Sequence, residues 1–172
     1  MELLHVHLLL NHFPVIGTII GIALLVLGFT CKSDAIKRAS LAVFFGIALL
    51  TIPVYLTGEP AEERVEKSVG VSKALMEEHE DTAMPALIAM EITGFVALIG
   101  LFVSLRISKY ANVSFATALI LSLVSFGLMA RTANLGGQIR HVEIRSGNAA
   151  TANEKPAAVE KKKDDGDDDN KD

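Results

Sequence analysis

Four stretches of this chain, 8–29, 40–57, 84–105 and 113–134, are almost entirely apolar and almost free of charge. A helix needs about 20 mostly apolar residues to cross hydrocarbon, where each backbone N–H and C=O must be satisfied within the segment. The second stretch is the shortest, and 34–39 extends it as a polar helical lead-in. The expected architecture is therefore all-α: an integral membrane four-helix bundle over residues 1–145. After residue 146 the composition turns to Ala, Asn, Lys, Glu and Asp, ending in a charge run with no apolar partner. The expectation for 146–172 is a disordered acidic tail.

The first apolar stretch has no Lys or Arg before it and no convincing small-residue cleavage site after Gly28. It reads as a retained helix rather than a secretory signal. Cys31 is the single cysteine, which excludes an internal disulfide and a thiolate cluster. The net charge of −4 comes mainly from 59–81 and the tail, and gives no surface for nucleic acid.

Lys32, Lys37 and Arg38 follow the first stretch, and Arg106 and Lys109 separate the third from the fourth. By the positive-inside rule these turns face the cytoplasm. Arg64, Lys67, Lys73, Arg140 and Arg145 lie on the opposite side and argue the other way. The first helix decides the orientation, with both termini on the outer, periplasmic side of a bacterial inner membrane.

Within the first helix Gly17 and Gly21 form a Gly-x-x-x-Gly pair, the kind of small surface that lets helices approach closely in lipid. Pro14 marks a kink or a first turn. Thr57-Gly58 suits a helix end, Pro60 with Glu62 and Glu63 restarts a short charged helix, and Ser72 is a reasonable N-cap for the third long helix. The fourth carries Ser122, Ser125 and Met129 on one stripe and is expected to end near Gly136-Gly137, where two glycines permit a bend.

All five histidines, His5, His7, His12, His79 and His141, fall at the same edge of the expected bundle. Imidazole is the commonest neutral metal ligand and titrates near neutral pH. His7 and His12 are separated by about 140° on an ideal helix, whereas His7, Pro14, Gly21 and Gly28 share one face, expected to pack inward. Histidines at an interface also serve simply to solvate a headgroup layer. His79 lies in Met76-Glu77-Glu78-His79-Glu80-Asp81, whose carboxylates could orient it as a ligand or mark a water-facing turn.

Glu91 and Arg131 interrupt the apolar stretches. Measured from Pro85 and from Gly136 they lie at depths of roughly 9 and 7 Å at 1.5 Å per residue, so a buried Glu91–Arg131 ion pair is expected. Tyr55 reaches the same layer as a hydrogen-bonding group or an interface anchor.

His7-Leu-Leu-Leu-Asn11-His12-Phe13-Pro14, Thr57-Gly58, His79 and Leu135-Gly136-Gly137-Gln138-Ile139-Arg140-His141 resemble the bacterial membrane family catalogued as domain of unknown function 2231. The resemblance covers roughly residues 5–145. It implies four spans, a haem- or redox-associated membrane module, and His7, His12, His79 and His141 as the residues of interest. The chain departs from the family pattern in lacking Trp after Thr57-Gly58 and in its long acidic loop.

Three functions are compatible with these residues. The first is a haem b protein with two axial histidines at the outer face, His12 paired with His7, His79 or His141, passing electrons between a quinone and a soluble partner. Covalent c-type haem is excluded by the absence of Cys-x-x-Cys-His. The second is a zinc or copper module using His12, His79 and His141, with Glu77, Glu80 or Met76. The third is an accessory subunit without chemistry of its own. No nucleophile, phosphate loop or carboxylate pair in a defined cleft points to an autonomous enzyme. Candidate partners are the lipid bilayer, an electron-transfer protein or quinone, and a second copy of the chain.

Overall fold

The computed structural model describes residues 3–66 and 72–140, and every regular element among them is an α-helix. The order is α1 (Leu3–Leu10), α2 (His12–Thr30), α3 (Asp34–Leu56), α4 (Gly58–Glu66), α5 (Lys73–Arg106) and α6 (Ser108–Arg140). His141 and the tail lie outside the described residues. Four helical segments, α1–α2, α3–α4, α5 and α6, are long and apolar enough to cross a membrane. At 1.5 Å per residue, α5 and α6 each extend about 50 Å, well beyond a hydrocarbon layer of about 30 Å.

The helix ends follow from local chemistry. Ser33 N–H donates to Gly28 O at 2.9 Å and Lys32 N–H to Phe29 O at 3.2 Å, closing α2 in a Schellman turn with Lys32 at φ 51°. Ser33 then caps α3, its hydroxyl accepting from Ile36 N–H. Ser72 caps α5 in the same way, accepting from Leu75 N–H, as the sequence suggested. Ile107 alone separates α5 from α6. Short connections force antiparallel neighbours, and the packing closes in a ring: α2 on α3, α3 on α5, α5 on α6, and α6 back on α2.

Pro14 sits in the first turn of α2, where its missing N–H costs nothing. Pro14, Gly21 and Gly28 are all buried, so the face inferred from the seven-residue spacing does turn inward. α6 departs from expectation: it does not stop at Gly136-Gly137 but runs through both to Arg140. Glycine permits a bend but does not impose one, and here Gly136 lies within the helix beneath an imidazole of α5.

The helices interlock by setting large side chains against glycines. A Cβ on Gly17 would overlap Ile47, one on Gly21 would overlap Phe44, and one on Gly94 would stand 2.2 Å from the Cβ of Ala48. Hydroxyls serve the same close contacts: Ser40 donates to Gly21 O at 2.7 Å, and the Thr93 and Ser125 hydroxyls bond each other at 2.9 Å. The outward surface is apolar instead, with Phe95 64% and Ile120 64% exposed. Apolar cover of this extent is far beyond the patches that water-exposed monomers carry.

Gly94→Ala should lower the thermal midpoint in detergent, by overpacking worth about 1–3 kcal/mol. Adding Ala48→Gly should recover most of the loss, since the exchange keeps one alanine and one glycine at the contact. Failure of the second change to rescue the first would show that α3 and α5 do not meet there.

Candidate functional site

The short helix α1 packs against α4 at the end of the bundle where α3 stops. Ending a helix at Leu56 leaves its last carbonyls without intrahelical donors. His7 of α1 supplies one: its Nδ1–H donates to Val54 O at 3.1 Å, with the Thr57 hydroxyl 3.2 Å away. A carbonyl can only accept, so this contact places the proton on Nδ1 and leaves the lone pair on Nε2.

His79 of α5 is held in the same fashion. Its Nδ1–H donates to Thr132 O at 2.9 Å, and the Thr132 hydroxyl returns a bond to Thr82 O at 3.1 Å. A Cβ on Gly136 would stand 3.1 Å from His79 Cε1, so the missing side chain is what lets the ring lie on α6. The His79 Nε2 atom points to Glu62 Oε1 at 3.7 Å, and each of these side chains is only 16% exposed.

Glu62 belongs to α4 and Glu80 to α5. These residues border a cleft of about 280 Å³ between α4 and α5. Its walls bear the carboxyls of Glu59, Glu62, Glu63, Glu77 and Glu80, the thioether of Met76 and one ammonium, that of Lys73. Five acids against one base make a place that attracts a cation. A haem brings propionates of its own, which the same walls repel.

The expected ligand set is therefore only partly assembled. His7 and His79 are part-buried at the same end of the bundle, each bonded to a backbone carbonyl, whereas His12, the first residue of α2, is exposed, as is His5. The backbone stays helical through Asn11, whose N–H donates to His7 O at 2.9 Å, so the two imidazoles stand about 140° apart around one helix. Glu77, Glu80 and Met76 do line the cleft. Glu62 had no signal as a ligand beyond the Pro60-Ala61-Glu62-Glu63 restart; the burial of Ala61 is what turns α4 so that Glu62 meets His79. Among the described residues, no three His, Cys, Asp or Glu side chains already enclose a metal position.

The expected Glu91–Arg131 pair does not form. Arg131 is exposed and bonds Glu78 at 3.2 Å. Glu78 precedes Glu91 by thirteen residues, about 20 Å of helix. The long arginine side chain reaches toward the polar end of the bundle, carrying its charge away from the apolar layer. Glu91 keeps one buried oxygen, Oε1, without a hydrogen-bond partner.

The opposite end of the bundle is basic. Lys37 is turned inward there, bonded to Asp34 at 2.7 Å and to Asn112 at 3.1 Å, beneath the rings of Phe29 and Phe115. Arg38 donates to Ser104 O at 2.9 Å. Comparison with family models, with curated proteins and with solved structures gives no match.

Arg131→Met should change stability in detergent by no more than about 1 kcal/mol, the range of an exposed ion pair. A loss of several kcal/mol on thermal unfolding would mean that Arg131 serves a buried partner after all.

Proposed function

We propose that this chain is an integral membrane four-helix bundle of the bacterial inner membrane, and that its acidic, histidine-bearing end binds a divalent transition metal. The resemblance to the domain of unknown function 2231 family supports the membrane assignment and the importance of His7 and His79. The basic turn at Lys32 and the Arg106 and Lys109 pair support a cytoplasmic placement of the other end. The site then faces the periplasm, where a soluble partner can reach it.

The observation that carries the metal reading is the 3.7 Å separation of His79 Nε2 and Glu62 Oε1. This is long for a hydrogen bond. Two ligands of one tetrahedral ion with bonds of about 2.0–2.2 Å stand about 3.4 Å apart, so the pair is close to a chelating spacing. The His79 Nδ1–H bond to Thr132 O is the outer contact that metal-binding imidazoles characteristically have. Glu80, which lines the same cleft as Glu62, is the carboxylate we assign as a third donor. One imidazole with carboxylates favours zinc; recruitment of Met76 would favour copper(I). A bound ion supplies a fixed positive charge and Lewis acidity at that end, and the protein's own part is to hold His79 and Glu62 in place.

A second reading is favoured by one observation: the Nδ1 atoms of both His7 and His79 are committed to backbone carbonyls, leaving two Nε2 lone pairs. Two imidazoles with their Nε2 atoms left over would be able to serve as axial ligands of a haem b, in a protein that exchanges electrons with a quinone or a soluble partner.

The full chain, purified in detergent, should retain about one zinc per molecule after equilibration with zinc and removal of excess, and lose at least about tenfold in affinity on His79→Ala or Glu62→Gln. A Soret band in the spectrum of the purified protein would select the haem reading. Neither bound metal nor a Soret band would leave an accessory subunit without a cofactor.

A further inference from the structure

Outside the polar ends, the four apolar segments hold one ionisable acid and no base. Residues 13–30, 39–58 and 110–130 contain no Asp, Glu, Lys, Arg or His, and 82–105 contains only Glu91. Glu91 lies eighteen residues into α5 and fifteen before Arg106, about 27 and 22 Å of helix from either end. Neither the acidic cleft nor the basic turns can reach it.

The helices packed on α5 offer it no charge. α3 meets α5 around Gly94 and Ala48, and the one titratable side chain on that part of α3 is Tyr55. α6 meets it around Thr93 and Ser125, and the nearest cation there, Arg131, is turned away to Glu78. Glu91 Oε1 is buried and without a hydrogen-bond partner. The rest of the residue is part-exposed beside Ile88, Ile92 and Phe95, which are 51%, 49% and 64% exposed. The residue thus stands at the margin of an outward apolar stripe, with one carboxyl oxygen buried and part of the side chain left exposed.

An ionised carboxylate with no cation beside it is costly in hydrocarbon, and such residues mark proton-carrying or partner-binding positions. We propose that Glu91 is a proton-binding site: a carboxylic acid held in its neutral form within the apolar wall of the bundle and open to the lipid phase. This rests on the membrane reading and is independent of the metal at the polar end. A lipid-soluble carbodiimide is the matching probe, because it reacts with protonated carboxyls in an apolar phase. The carboxyl oxygen bonds the carbodiimide carbon while the acid proton passes to a carbodiimide nitrogen, and the adduct rearranges to a stable N-acylurea.

The test uses the full chain in phosphatidylcholine vesicles, treated with dicyclohexylcarbodiimide and mapped by peptide mass spectrometry. The expected result is an adduct on Glu91, lost in Glu91→Gln, while a water-soluble carbodiimide with an amine labels Glu77 or Glu78 and spares Glu91. Infrared spectra should also lose a protonated-carboxyl C=O band in Glu91→Gln. An unlabelled Glu91 with no such band in the wild type, or labelling of Glu91 by the water-soluble reagent, would overturn the proposal. Alkaline carbonate washing of cell membranes separates the two claims. A chain that stays in the membrane with Glu91 unreactive overturns this proposal alone, and a chain that washes off overturns the membrane reading with it.

Discussion

The central helix α3 is seated on its neighbours at glycines, where one side of the contact lacks a side chain. Ile47 fills the space over Gly17, Phe44 that over Gly21, and Ala48 that over Gly94, so α3 is fixed in rotation and in height against α2 on one side and α5 on the other. On the membrane reading proposed above, there is little hydrophobic gain from bringing helices together, and close van der Waals contact with small residues takes its place. The same approach lets Ser40 reach Gly21 O and brings the Thr93 and Ser125 hydroxyls together. These hydroxyls are thus satisfied inside, while many other large apolar side chains, Phe95 and Ile120 among them, face out.

That register determines what meets at the polar end. With α3 fixed, its carboxyl-terminal turn offers Val54 O to His7, and α4, which follows with only Thr57 between them, carries Glu62 to His79. With α5 and α6 separated by one residue, Thr132 and Gly136 lie beneath the His79 ring. Each imidazole is held by a backbone carbonyl, which fixes both its orientation and its tautomer. The two ends of the bundle differ in charge: carboxylates gather around α4 and the start of α5, while Lys37, Arg38, Arg106 and Lys109 gather at the other end. A molecule so divided has a preferred direction in a membrane with an electrically asymmetric environment.

The apolar stretches, the cap at Ser72, the restart at Pro60 and the inward face of Pro14, Gly21 and Gly28 were legible because each depends on periodicity or on a local backbone requirement. The failures share another cause. The Glu91–Arg131 pairing took helix depth from Pro85 and Gly136, yet α5 and α6 pass through both positions. Depth also says nothing about how far a long arginine will extend toward water. Gly136-Gly137 read as a bend because glycine permits one, whereas here the absent side chain makes room for His79. Glu62 was missed as a ligand because its contact with His79 joins residues seventeen apart through the docking of α4, which no spacing rule encodes.

The central claim is that His79 and Glu62 form a ligating pair rather than a strained polar contact. X-ray absorption at the zinc edge of the zinc-loaded full chain tests it most directly. The account predicts a shell of nitrogen and oxygen at about 2.0–2.2 Å, with imidazole scattering that disappears in His79→Ala. A spectrum dominated by sulfur, or one unchanged by that substitution, would contradict it.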